Sequence, residues 1–467
     1  MTIVHLGSVL LQIEQEATRQ TFFEKLKVQL QDIVNTVIAR CIEEALEAEV
    51  TLLLRRGWYE RRRAEDRQRT RATCKQCGSE YARDFRRDGH YKRYLDTSWG
   101  RIRIWVPQLE CVCGGQVTVQ YQTIRRGQRI WDDLEEGIRE RSGWGMTLRQ
   151  SKAQMDVQLG SSVGLRTLNE RIHQMSKLVP GWRQDVLEEI PPVVRVDGIW
   201  LTLMKDTEEK KKDALGRQRT VKQRHKVPIL VAQGIWPTSG KQAIVAWVVG
   251  EAEDETSWEA LLSQMVDHGI CPQRGLRLLV VDGAAGFEPA RQTVFWDVPV
   301  QRCIFHKLRN ICRDLVVPED LSRKQKRALR RRFARSVARI WQAENEPEAS
   351  KRQNQFCTKW QDKQPKAVAT LRRDFQTTLT FYRLQAQAER HNQHWPARYL
   401  RTTSHLERDM RTLRRRLSPA VLFHSIPGLE AVIHQYVLRR TAERAKALPG
   451  SWQRTLEHAL GALEAIS

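Results

Sequence analysis

No run in this 467-residue sequence approaches the length of a membrane-spanning helix, and the opening MTIVHLGSVLLQI has neither a basic start nor a small-residue cleavage site. An embedded or exported protein is therefore not expected. The reading favours the cytoplasm. Cysteine is too sparse, at nine residues, for a disulfide framework, and in a reducing compartment those residues are thiols or metal ligands. Acids are also in deficit, with 55 Asp and Glu against 79 Lys and Arg, a formal charge of +24. So large an excess of cations must face something anionic. Long basic faces rich in Leu and Phe are missing as well, which argues against a lipid surface and for nucleic acid.

What is present is enough apolar residue, 40%, to build two or three domain cores. Residues 1–65 have helical spacing at Phe23, Leu26, Leu30, Ile33 and Val37. They are read as a helix pair available for packing or oligomerisation. A dense Arg run then leads into a module at 66–125, in which Cys74 and Cys77, then Cys111 and Cys113, flank short β-like runs. Four thiolates on Gly-containing turns suit one tetrahedral Zn²⁺, so a zinc ribbon is expected, with His90 as a reserve ligand. Reduced structural thiols are the alternative.

Residues 126–188 read as short helices broken at SGWGM and LGSSVG. A helix-turn-helix arrangement would offer Arg166 and Arg171, with Thr167 and Asn169, to a DNA groove. A small helical bundle without DNA contact fits the same pattern.

After Pro191 and Pro192 the pattern switches to strands. VVRVDGIWLTLMK, VPILVAQGIW and AIVAWVVG are three strands, DETSWEALLSQMVDHG a helix, LRLLVVDG a strand, and VPVQRCIFHK another strand after an intervening helix. This is the order of an α/β RNase H-like core, whose first part spans 189–314. Asp197 lies within the first strand and Asp282 ends the fourth, so the fold would bring two carboxylates together. Bare, they would repel; divalent metal removes the conflict, and hard oxygens suit Mg²⁺ or Mn²⁺. Two such ions can activate an attacking oxygen and stabilise a departing one in phosphodiester chemistry. For a third acid the best placed is Glu407 in RYLRTTSHLERDMRTLRRRL, near the start of a helix capped at Thr402, Thr403 or Ser404 and followed by Arg408, Arg411, Arg414 and Arg415. Glu389 and Glu430 lack that setting. Taken singly, an acid in a strand is an ordinary edge or turn residue, and one in a first helical turn offsets the helix dipole.

The blocks VRVDGIW, VVDGAAGF, CIFHKLRN and RTTSHLERDMRTLRRR resemble those of Mutator-type bacterial insertion-sequence transposases, over roughly 190–440. The resemblance implies an RNase H-like core with a DDE triad of Asp197, Asp282 and Glu407 and a Cys-x2-His motif at Cys303 and His306. It also implies a large helical insertion, 315–396, before the core resumes at 397–467. His306 is placed against the scissile phosphate or, alternatively, in an inert buried pair. The basic insertion is read as a cap that contacts DNA, or as a helical subdomain whose charges are solvated. Ser404, His405 and Leu406 stand where relatives commonly carry Asn-Ala-Ile.

The expected protein is thus a transposase that binds terminal inverted repeats and target DNA as double strands, works as a homodimer or higher homo-oligomer, and cleaves and joins DNA with two Mg²⁺ or Mn²⁺ ions. A catalytically inactive DNA-binding regulator and an RNase H-like nuclease without strand transfer are its rivals. Gly283 and Gly286 are expected to keep the rim of the site clear for a phosphate.

Overall fold

The computed structural model describes residues 19–61, 67–159, 163–417, 423 and 425–443. The opening apolar segment, part of the Arg run, the middle of the LGSSVG break (160–162) and the C-terminal stretch after 443 lie outside them. Two compact units are formed, one from the chain up to Arg141 together with Leu148–Asn169, the other from Ser142–Thr147 and the chain from Glu170. No helix among the described residues is long and apolar enough to cross a membrane.

Of the helix pair expected over 1–65, the described residues contain one helix, α1 (Arg19–Leu54), and residues 1–18 lie outside them. No proline or glycine interrupts this stretch, so one helix runs unbroken. Its C-terminal half buries Ile42, Leu46, Val50 and Leu54, while Val28, Leu30, Ile33 and Val37 further up remain exposed. The buried half packs on an antiparallel hairpin of β2 (Phe85–Thr97) and β3 (Gly100–Cys111), and on the small pair β1 (Ala72–Cys74) and β4 (Val117–Val119). Alternation of buried and exposed residues along β3 from Gly100 to Val106 reflects the two-residue period of a strand covered on one face; it shifts phase at Pro107, opposite the bulge in β2. Helices α2 (Asp132–Gly143), α3 (Leu148–Leu159) and α4 (Leu165–Gln174) follow.

The second unit is built on a mixed five-stranded sheet of order β7-β6-β5-β8-β9. The strands are β5 (Val193–Lys212), β6 (Gln218–Trp236), β7 (Lys241–Val249), β8 (Leu278–Val281) and β9 (Val300–Arg302). The first three form an antiparallel meander, and β8 and β9 run parallel to β5. Helices α5 (Glu255–Asp267) and α6 (Phe287–Val294) connect them, in the order read from the sequence.

Side chains alternate across β5. Even-numbered Val194 and Val196 enter the core beneath α5 and α6. Odd-numbered Val193 packs with α7 (Ile304–Arg313) and with helices of the insertion, α8 (Arg323–Ala338), α9 (Glu346–Trp360), α10 (Pro365–Arg372) and α11 (Thr380–Arg390). Ile199 and Leu203, on the same face, pack against α12 (Ser404–Leu417) and α13 (Ile426–Glu443). Trp341 and Trp360 belong to the insertion's own core: the Trp341 indole donates to Thr378 Oγ1 at 2.9 Å, and Trp360 stacks among Phe333 and Phe356.

Arg195 is fully buried in β5. Its guanidinium donates to the carbonyls of Arg398 (3.0 Å) and Tyr399 (2.9 Å) and to Gln242 Oε1 (3.3 Å), and burial lowers its pKa to about 10. Arg195→Met should strand those two carbonyls and cost about 2 to 4 kcal/mol, read as a lower urea midpoint at unchanged slope.

Candidate functional site

Parallel pairing of Arg195 with Val280 means that two residues further along each strand Asp197 and Asp282 come level. Asp197 lies on the odd-numbered face of β5, the side covered by α12. It accepts the Gly198 N–H at 2.8 Å, and Asp282 accepts the Ala284 N–H at 3.0 Å. Burial, and next the Asp282 carboxylate, push Asp197 up to about 7, with Glu407 adding a smaller upward push. That electrostatic coupling places the three acids in one neighbourhood. An acid so perturbed beside two others marks a place where a cation would be welcome.

Glu407 is presented by the first turn of α12, with Thr403 immediately before the helix. The Glu407 N–H donates to the Thr403 carbonyl at 2.9 Å. Thr403 Oγ1 lies 3.4 Å from Glu407 Oε1, 3.4 Å from His306 Nδ1 and 3.3 Å from Cys303 Sγ. His306 Nε2 in turn is 3.4 Å from Glu407 Oε1. The sequence-predicted Cys303 and His306 therefore meet Glu407 through Thr403, whose sequence setting suggested only a helix cap. Burial alone would lower His306, but the Cys303 sulfur and the Glu407 and Asp282 carboxylates outweigh it and raise the pKa. Burial likewise pushes the Cys303 thiol up, and hydrogen bonding with His306 and Thr403 brings it below its ordinary value.

Two further residues at the site had no signal strong enough to single them out. Glu253 holds the Trp200 indole at 3.2 Å, and its pKa is raised by burial and then by Asp282. It belongs to the acid-rich EAEDE stretch after β7, where Asp254 serves as cap of α5 by accepting the Ser257 N–H at 3.0 Å. Arg302, opposite Val281 in the sheet, lays its guanidinium over Gly283. A Cβ on Gly283 would fall 0.5 Å from Arg302 Nη1, and φ is +89° there. One on Gly286 would meet the Asp254 backbone at 2.6 Å. Both glycines thus answer to close packing within the protein, which corrects the expectation that they clear space for a phosphate.

Arg408, Arg411, Arg414 and Arg415 are exposed on α12, whose other face buries Leu406, Met410, Leu413 and Leu417. Arg166 is exposed and Arg171 half-buried, 3.3 Å from Gln174 Oε1.

A second cluster lies in the first unit. Cys74, Cys77, Cys111 and Cys113 bring their sulfurs within 4.8 Å of one another, the one group of three or more such ligands at that spacing among the described residues. Cys74 and Cys113 are 3.5 Å apart and Cys77 and Cys111 3.6 Å, close to the roughly 3.8 Å edge of a tetrahedron with 2.3 Å metal–sulfur bonds. Backbone N–H groups, first that of Cys77, lower the Cys74 thiol to about 6, whereas burial pushes Cys111 up to about 12. Gly115 passes so close that a Cβ would stand 2.7 Å from Cys74 Sγ. His90 is elsewhere: its Nε2 meets Glu47 Oε1 at 2.6 Å.

The acids fit divalent metal by donor chemistry, being hard oxygens of which one is held near neutrality by burial and like charge. They do not close to the tight spacing of the cysteines.

In metal-free buffer the Asp197 shift has a definite sign. The unfolded carboxyl ionises near its ordinary value of 3.8 and the folded one near 7, so the native state holds the extra proton between them. Stability attributable to this group should fall as pH rises from about 4 to about 7. Thermal melts of the protein and of Asp197→Asn across that range should diverge, the variant losing less.

A mixed α/β sheet with acids gathered at one strand edge, joined by a helix beyond a long helical insertion, defines the class to which the comparisons point. The chain belongs to the Mutator family of transposases, whose model matches residues 10–445. It is 32% identical over 191 residues to the transposase for insertion sequence element IST2 of Acidithiobacillus ferrooxidans, an alignment covering 41% of this chain and 57% of that one. It is 24% identical to the transposase for IS905 of Lactococcus lactis subsp. lactis (strain IL1403), over 74% of this chain and 77% of the relative. The chain thus spans little more than half of the first relative and about three quarters of the second. Among solved structures, the Drosophila P element transposase strand transfer complex aligns with 67% of this chain and 92% of that chain, at 10% identity and a TM-score of 0.37.

Proposed function

We propose that this chain is an RNase H-like DDE transposase that binds the terminal inverted repeats of its element as double-stranded DNA, cleaves at their ends and joins them to target DNA. The observation that carries the reading is the convergence of Asp197, Asp282 and Glu407 from two adjacent strands and a distant helix. Binding alone would not need carboxylates gathered inside a protein of charge +24.

Asp197, Asp282 and Glu407 would hold two Mg²⁺ or Mn²⁺ ions, with Glu253 close by. When bound, such ions activate an attacking oxygen and stabilise the departing one. The chain's own residues set the geometry. The strands fix Asp197 and Asp282 rigidly. His306 and Thr403 orient the Glu407 carboxylate, which makes His306 a positioning residue in this reading. The exposed arginines of α12 supply cations to the DNA backbone beside the acids, and Arg166 and Arg171 offer contacts elsewhere. The four cysteines would hold a structural Zn²⁺ in a zinc-ribbon module, and the exposed apolar stripe of α1 offers a surface for a second copy.

The test is a strand-transfer assay on labelled duplexes carrying the inverted repeats that flank the reading frame, with Mg²⁺ or Mn²⁺. Cleavage and joining support the proposal. Binding without chemistry would favour an inactive regulator, and cleavage without joining a nuclease.

A further inference from the structure

Strands β5 and β6 run well past the sheet that contains them. β7 leaves β6 at Ile229, β8 leaves β5 at Arg195, and among the described residues the last outside supports are the Met204 N–H donating to the Phe423 carbonyl at 2.7 Å and the Lys205 ammonium donating to Glu251 Oε1 at 2.8 Å. From Lys205 to Lys226 the two strands continue as a ribbon with nearly every residue exposed. Its tip is built. Asp213 accepts the N–H groups of Leu215 and Arg217, both at 2.9 Å, and Gly216 takes φ +75°.

The ribbon carries nine Lys and Arg against four Asp and Glu. Cross-strand register sorts them by face, because directly paired residues project to the same side. Asp206 pairs with Lys222, Met204 with Arg224 and Thr202 with Lys226; beyond a bulge, Lys210 pairs with Thr220 and Lys212 with Gln218. One face therefore gathers Lys210, Lys212, Lys222, Arg224 and Lys226. Its paired acid, Asp206, is neutralised by Lys222 at 3.2 Å, and Glu208 and Glu209 lie in the bulge. On the tip, Asp213 is held by Arg219 at 2.9 Å.

An isolated two-stranded ribbon with almost no apolar face gains little from folding in water, so its length asks for a partner. Two-stranded ribbons fit the major groove of B-form DNA, and a row of lysines and arginines matches its phosphates. The ribbon is also continuous with the candidate site: from Asp197 to Lys212 the strand reaches about 50 Å at roughly 3.3 Å per residue.

We propose that this ribbon is a DNA-binding arm, its face of Lys210, Lys212, Arg224 and Lys226 lying on the phosphate backbone of duplex DNA that enters the acid site. The inference rests on the proposed DNA chemistry, and its test separates the two. Binding of a 40-base-pair duplex of arbitrary sequence is followed by fluorescence anisotropy over a salt series, for the intact protein and for Lys210→Ala/Lys212→Ala/Arg224→Ala/Lys226→Ala, with circular dichroism to establish folding. The slope of log K against log salt should lose about 3 to 4 units of magnitude in the variant, and affinity at 0.1 M salt should fall roughly 100-fold. A photocrosslinker at Thr220, on the basic face, should capture the duplex more strongly than one at Val221. If the intact protein binds and the folded variant matches it in slope and affinity, or if Val221 crosslinks in preference, the arm is refuted while the DNA reading stands. If the intact protein does not bind duplex DNA, both fall.

Discussion

Asp282→Asn is expected to lower strand transfer by at least about 10³-fold, the consequence of losing several kcal/mol of metal-assisted stabilisation at the reacting phosphate. Duplex binding should change by no more than a few-fold, since the cations that hold DNA are elsewhere. The substitution keeps shape, and the amide oxygen can still accept the Ala284 N–H that Asp282 accepts at 3.0 Å. It removes a charge that helps push Asp197 up to about 7. The variant should therefore melt no lower than the parent in metal-free buffer, and should gain less from added Mn²⁺. Loss of activity with retained or increased stability is the signature of a functional carboxylate pair. Robust joining by Asp282→Asn would remove Asp282 from the site.

The other large effect concerns the cysteines. Purified protein should carry one zinc per chain, and Cys111→Ser should lose it. A structural zinc site contributes on the order of 10 kcal/mol of folding free energy. The module offers little else, because the core around β1 and β4 is small and includes Cys74 and Cys111 themselves. Prolonged chelation should expose it to limited proteolysis near 67–125 while the sheet unit stays resistant. Protein that is metal-free as purified and protected from protease would leave these residues as reduced structural thiols.

Much of the second unit was legible because its strands and helices have strong hydrophobic periods. The order of β5 to β9 with α5 and α6 follows from them, and Asp197 and Asp282 stand out as acids in apolar runs. Glu407 was found through its capped, arginine-lined helix, and the four cysteines through their paired spacing. The ribbon escaped notice for a physical reason. A hairpin exposed on both faces has no apolar alternation, so the sequence pattern ends β5 near Lys205 and begins β6 at Val227, whereas the strands extend to Lys212 and from Gln218. Glu253, Arg302 and the part played by Thr403 depend on approaches between segments distant in sequence. The glycines were misjudged for the same reason: nothing local to VVDGAAGF announces that Arg302 and the Asp254 backbone press against it.

The grip of Arg195 on the carbonyls of Arg398 and Tyr399, together with the Ile304 N–H on the Arg401 carbonyl at 3.0 Å, ties the two stems of the helical insertion to the sheet before and after it. Of the chain between those stems, His306 on α7 reaches Glu407, and the helices after α7 are held at both ends by the clasp. Glu407 is set by this clasp at its own end of the chain, so the insertion can lengthen, shorten or exchange its helices across evolution without detuning the site, with loop closure adding only about 0.6 kcal/mol per doubling of length. The clasp turns a break in the catalytic core into a port where new binding specificity can be attached.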